Sequence, residues 1–141
     1  ITDGPGNFGL LPNGVFCVGD GQARVVETRR FNREGPSCRF ATQSGPMLVI
    51  DGELHPRFIE DSDSTFIRNG VGTSADGRPV WFAISEGAVN FHAFGSLFRN
   101  YLGVPQALYF DGNISRLYAP DLNRNDLGFP MGPIVGVVSS D

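Results

Sequence analysis

The residues best suited to chemistry lie in Tyr109-Phe110-Asp111-Gly112-Asn113-Ile114-Ser115. A carboxylate that directly follows the apolar run Ala107-Leu108-Tyr109-Phe110 is held at a sheet end by backbone anchored in the core. Such rigid support suits a catalytic acid, base or nucleophile. Gly112 would let the backbone turn and a ligand approach closely. Ser115 is placed to donate a hydrogen bond to the same ligand. A plain Asp-Gly turn is the competing reading, because the chain also carries Asp3-Gly4, Asp20-Gly21, Asp51-Gly52 and Asp76-Gly77. Spacing alone does not separate the two.

Two further segments carry polar groups beside glycines. In Arg68-Asn69-Gly70-Val71-Gly72 the guanidinium is a candidate for bidentate anion binding, with Asn69 and Gly70 offering a donor and close backbone approach, although the motif alone favours a surface Arg before a turn. In Gln43-Ser44-Gly45-Pro46 the two polar side chains stand at a bend before an apolar strand, where they would hydrogen-bond a sugar or cap the strand end. His55 precedes a proline and reads as an exposed loop residue; His92 reads as a core or partly exposed helix residue. Neither has a zinc-like partner spacing, and no nucleophile elbow or phosphate-binding P-loop is present. The polar loop Glu60-Asp61-Ser62-Asp63 reads as solvated rather than as a divalent-ion site, so no metal or cofactor is expected.

The elements that must position these groups are mostly short strands. Val15-Phe16-Cys17-Val18 and Ala23-Arg24-Val25-Val26-Glu27-Thr28 flank a hairpin turn at Gly19-Asp20-Gly21. Residues 8–11 read as a short strand and residues 32–37 as loop. Residues 39–43 are extended, and Met47-Leu48-Val49-Ile50 reads as a strand buried on both faces. The Arg68 segment leads through a turn at Asp76-Gly77-Arg78 into a strand at residues 80–84, with Trp81 as core. One helical period stands out over residues 88–103, where Phe91, Phe94, Leu97, Phe98, Tyr101 and Leu102 form one face. Ser85 or Asn90 would cap its start, and Gly103 with Pro105 would end it. Residues 122–130 read as loop and 134–138 as a last strand. The expected fold class is α+β: a mixed, mostly antiparallel sheet with one main amphipathic helix.

Composition narrows the function classes. The chain of 141 residues is sized for one domain, and 40% hydrophobic content argues for a packed core. Nineteen Gly and ten Pro, spread along the chain, imply frequent turns. The formal charge is −4 and every basic residue is Arg, which argues against a nucleic-acid partner. Cys17 and Cys38 are either a disulfide or two half-buried thiols. No stretch is apolar enough to span a membrane, and the start at Ile1 reads as the start of a piece, with any export signal upstream.

Taken in order, these segments resemble the phosphodiester glycosidase family, whose best-known type removes N-acetylglucosamine from a phosphodiester on lysosomal enzymes; the bacterial branch is the nearer resemblance. The matching pieces are Gly6-Asn7-Phe8 with Pro12-Asn13-Gly14-Val15-Phe16, Ala41-Thr42-Gln43-Ser44-Gly45-Pro46-Met47-Leu48, Arg68-Asn69-Gly70-Val71-Gly72, Val89-Asn90-Phe91, and Ala107 to Ser115. Two departures stand out. The family's upstream Asn-Gly-Gly-Phe-like segment is absent, so the N-terminal part of the domain is expected to lie before Ile1. Asn113 also replaces the second glycine of Asp-Gly-Gly-x-Ser. The resemblance implies a hydrolase acting on a sugar phosphodiester or related cell-envelope glycan in an extracytoplasmic, periplasmic or secreted setting. Asp111 would be acid/base or nucleophile and Arg68 the anion binder. Gln43, Ser44, Gly45, Asn69, Gly70, Gly112 and Ser115 would contact substrate. The alternative is a noncatalytic carbohydrate-binding module on the same scaffold.

Overall fold

The computed structural model describes residues 1–2, 4–6, 9–112, 114–132 and 134–138. The expected turn residues Asp3 and Asn7, the strand residue Phe8, and Asn113 lie outside them.

The architecture is α+β, with a central five-stranded sheet between a smaller sheet and a helix. In chain order the first elements are β1 (Gly14–Gly19), β2 (Gln22–Glu27), α1 (Thr28–Glu34) and β3 (Phe40–Ser44). Then come β4 (Met47–Ile50), β5 (Glu53–Leu54), β6 (Arg68–Thr73) and β7 (Val80–Ile84). Helix α2 (Phe91–Ser96) runs into a π-helical turn, Leu97–Tyr101, before β8 (Gln106–Gly112). The short β9 (Tyr118–Ala119) and β10 (Arg124–Asn125) follow, on either side of a 3₁₀ turn. The central sheet has the order β5-β4-β8-β6-β7, and the smaller sheet is β2-β1-β3, with every pairing in both antiparallel.

Strand alternation, interrupted in β4 by an irregularity between Met47 and Val49, explains the layers. On one face Leu48, Val49, Ala107 and Tyr109 pack with Phe94 and Phe98 of the helical segment. On the other, Met47, Val71 and Leu108 meet Phe16, Ala23 and Val25 of the small sheet. Residues one apart on a strand point to opposite faces, so a strand covered on both sides is continuously apolar. Trp81 is half-buried and joins the helix-side cluster, as expected.

Four expectations are corrected. Residues 28–34 form α1, although 32–37 read as loop. That helix has almost no apolar period; its start is fixed by the Glu27 carboxylate, which accepts from the amides of Arg29 and Arg30, and its end by left-handed Gly35. The main helix begins at Phe91, not residue 88, because Asn90 caps it by accepting from the Ala93 amide. Residues 134–138 are apolar and β-branched but form no strand among the described residues, since a strand needs a paired neighbour. Residues 9–11 likewise lie in no strand.

Cys17 and Cys38 form a disulfide that ties β1 to the segment leading into β3, across a sequence separation of 21. Loop closure of that length constrains the unfolded chain. Replacing both cysteines by serine is expected to cost about 3 kcal/mol in urea unfolding.

His55 is buried, contrary to the exposed loop position read from sequence. Its Nε2 donates to the Leu11 carbonyl at 2.7 Å and its Nδ1 accepts from the Arg57 amide, which sets the neutral tautomer. The ring stacks on Phe58. Burial, with Arg57 nearby, pushes its pKa below the ordinary value. Between the folded pKa and about 6.5 the unfolded chain therefore binds more protons. Stability should be full above pH 6.5 and fall as pH drops below it. Urea midpoints at pH 5 and 7.5 should converge in H55Q relative to the parent protein; an unchanged difference would contradict this.

No described helix is long and apolar enough to cross a membrane.

Candidate functional site

The antiparallel order brings most of the sequence-selected segments to one end of the central sheet. β8 ends where β6 and β4 begin, so Asp111-Gly112, Arg68-Asn69 and Gly45-Pro46 meet there. The Ser44 hydroxyl donates to the Phe110 carbonyl at 2.9 Å and joins the small sheet to this end.

Asp111 sits on an irregular part of β8. Asn69 pairs with Asp111 but Gly70 pairs with Tyr109, so Phe110 is an extra residue in the β8–β6 ladder. Such a bulge bends the strand and re-aims the following side chain. Asp111 is exposed, and its Oδ1 accepts from the Gly112 amide at 2.7 Å. Its ladder partner Asn69 donates from Nδ2 to the Ser115 hydroxyl at 2.6 Å. Directly opposed residues share a sheet face with Cβ atoms about 5 Å apart. Asp111, Asn69 and Ser115 therefore form one polar group at the sheet end.

Arg68 lies on the other face. Side chains built at Gly70 and Gly72 would meet Phe94 and Phe98, whereas Thr73 accepts from the Val25 amide of β2. Period-two alternation then places Asn69 on the small-sheet side and Arg68 on the helix side. The Arg68 side chain is fully buried. Its Cζ lies 3.6 Å from the Phe91 ring centroid, with Phe66 and Tyr109 also beside it. Nε donates to the Val89 carbonyl at 2.8 Å and Nη2 to the Ser64 carbonyl at 3.0 Å. Nη1 is buried without a well-formed hydrogen bond. No carboxylate forms an ion pair with Arg68 among the described residues. Burial lowers its pKa, but a guanidinium remains protonated. Neighbours in sequence, Arg68 and Asn69 are thus separated by the sheet, and the Arg68 fork is occupied by backbone rather than open for bidentate binding.

Gln43, Ser44 and Gly45 line a cleft of about 390 Å³ with Thr2, Gly4, Pro5, Gly6 and Asn13. Gln43 Nε2 donates to the Thr28 hydroxyl at 3.2 Å, and its amide also meets the Thr2 backbone. Asn13 is buried against Gly45, where an added Cβ would strike the Asn13 side chain. The cleft does not include Asp111; Ser44 connects them, lining the cleft while bonding the residue before Asp111.

The glycines here are required by space. Gly112 has no positive φ, and a Cβ on it would collide with the Tyr109 hydroxyl. Gly70 is pressed against the Leu108 carbonyl. By contrast Gly21, Gly52 and Gly77 do have positive φ, so their Asp-Gly pairs are true turns. Asp111-Gly112 remains in the strand.

Sequence reasoning missed Tyr109 and Phe91 as partners of Arg68. The usable signal was alternation in residues 107–110, which sends Tyr109 to the same side as Arg68. Among the described residues no cluster of three or more His, Cys, Asp or Glu side chains is placed to hold a metal.

Comparison with known proteins supplies the family context. The phosphodiester glycosidase family model matches residues 3–137. The uncharacterized protein YigE of Escherichia coli (strain K12) is 40% identical over 118 residues, covering 84% of this chain and 46% of its own. The chain thus spans about half the length of that relative. A solved structure of a hypothetical protein from Synechocystis aligns over 72% of this chain and 28% of its own, with 14% identity and a TM-score of 0.42.

Proposed function

The chain belongs to the phosphodiester glycosidase family, and we propose that the protein hydrolyses the bond between a sugar's anomeric carbon and the oxygen of its phosphate leaving group, with Asp111 as the reacting carboxylate. Water and the sugar phosphodiester would give the free sugar and a phosphomonoester. The observation that carries this reading is the Asp111-Asn69-Ser115 group, set by a bulge at the sheet end and joined through Ser44 to the cleft.

Asp111 would act at the anomeric carbon as general acid/base or nucleophile. Asn69 and Ser115, already bonded to each other, would orient the sugar at the carboxylate, and Gln43 and Ser44 would do so from the cleft. Gly45, Gly70 and Gly112 would keep the backbone close to substrate. The Arg68 cation, on the far side of the sheet and without a carboxylate counterion among the described residues, would favour the negative charge that grows on the leaving phosphate. This is a role through the field rather than by contact. The disulfide supports action in an oxidising, extracytoplasmic compartment.

The direct test is incubation of the whole protein with a chromogenic sugar-1-phosphate diester. Release of free sugar and phosphomonoester is expected. Calorimetric binding without any turnover would instead favour a carbohydrate-binding module.

A further inference from the structure

The hydroxyl of Tyr109 connects the two faces of this site. Tyr109 is fully buried, its ring lies edge-on to Phe91, and the Arg68 guanidinium is beside it. On one side the ring has the Arg68 Cζ 5.5 Å from its centroid; on the other the hydroxyl occupies the space where a Gly112 side chain would begin. The Gly112 amide in turn donates to the Asp111 carboxylate at 2.7 Å. A buried cation, a phenol, a side-chain-free backbone position and an exposed carboxylate thus form a continuous series across the sheet end.

We propose that Tyr109 is a positioning residue: its hydroxyl, seated against the Gly112 backbone while Arg68 lies beside the ring, sets the place of Gly112 and through the Gly112 amide the aim of the Asp111 carboxylate. The inference rests on Asp111 as the reacting group. It explains why residue 112 is glycine although its φ is available to any residue. It also gives Arg68 a mechanical connection to a carboxylate on the opposite face. A positioned group must hold within a fraction of an ångström, so a small shift of the Gly112 amide is expected to appear in kcat before KM.

The test is a double-variant cycle on the whole protein. Tyr109→Phe removes only the hydroxyl and is expected to lower kcat about 10-fold with KM changed less than about 2-fold. Gly112→Ala should lower Tm by about 8 °C, because the new methyl meets the hydroxyl. In Y109F/G112A that collision is gone; the methyl would then lie 3.1 Å from the Ile67 carbonyl and 3.5 Å from the residue 109 ring carbon, both tolerable after slight adjustment. The double variant should therefore recover most of the Tm while kcat stays low. Recovery of both Tm and kcat would reduce Tyr109 to filler and overturn the proposal, as would wild-type kcat in Y109F. Should Y109F not fold, G112A decides alone: full Tm and activity would show that the hydroxyl is not seated there. If the parent protein and Asp111→Asn are equally inert on sugar phosphodiesters, the functional reading fails. The Tm cycle then still decides the Arg68-Tyr109-Gly112 contact, which no rescue would overturn.

Discussion

Asp111→Asn is expected to lower turnover of a sugar phosphodiester at least about 10³-fold while leaving Tm within about 2 °C of the parent protein. The two halves of that expectation have separate causes. The carboxylate is exposed and, among the described residues, makes one local hydrogen bond, from the Gly112 amide. An asparagine carbonyl oxygen accepts the same bond with the same shape, so the strand end keeps its support. Surface changes of this kind normally shift stability by no more than about 0.5 kcal/mol. The chemistry is another matter. An amide neither carries a proton to the leaving oxygen nor attacks the anomeric carbon, and positioned acid–base catalysis contributes about 10²–10⁴-fold. Initial rates on a chromogenic diester, beside a thermal melt, check both halves. Turnover within a few-fold of the parent would remove Asp111 from the mechanism. D76N is a useful control: Asp76-Gly77 is a true turn, with Gly77 at positive φ, and its loss should leave turnover unchanged.

That control marks where sequence stopped being informative. Five Asp-Gly pairs look alike as text. They separate only when backbone is seen: positive-φ glycine at residues 21, 52 and 77, and a strand glycine crowded by Tyr109 at 112. The strands themselves were legible, because β-branched and aromatic runs bounded by Gly and Pro have few other readings. The main helix was legible from its Phe stripe, although only the Asn90 cap fixes its first turn. Helix α1 was not, because Thr28 to Glu34 has a single large apolar residue, and its signal is a Glu27 side chain folded back on two amides. His55 was misplaced for a related reason. A histidine beside proline looks like loop, and only the Leu11 carbonyl and Phe58 ring, both distant in sequence or unmarked by pattern, bury it. Adjacency suggests Arg68 and Asn69 as a pair, yet strand alternation sends neighbours to opposite faces.

Arg68→Met should destabilise the protein by about 3 kcal/mol, and Arg68→Lys by about 2 kcal/mol, with activity separating the two variants further. A buried cation without a carboxylate partner costs several kcal/mol of desolvation, so its retention needs compensation. The structure shows what offsets it: two charge-assisted bonds to the Val89 and Ser64 carbonyls, each worth about 1.5–3 kcal/mol, and a cation–π contact with Phe91 worth about 2 kcal/mol when desolvated. Methionine fills the stem volume and removes the buried charge, but strands both carbonyls. Lysine keeps the charge, yet one ammonium on a flexible stem cannot serve two divergent carbonyls while also covering a ring. Stability alone would rank the variants close together, so kcat decides what Arg68 does. If its charge assists the leaving phosphate from behind the sheet, R68K retains roughly 10-fold more turnover than R68M at a temperature where both are folded. Equal kcat in the two would make Arg68 a scaffold residue only. A fully stable R68M would show that the Val89 and Ser64 carbonyls never depended on it, and urea unfolding at pH 7.5 measures that directly.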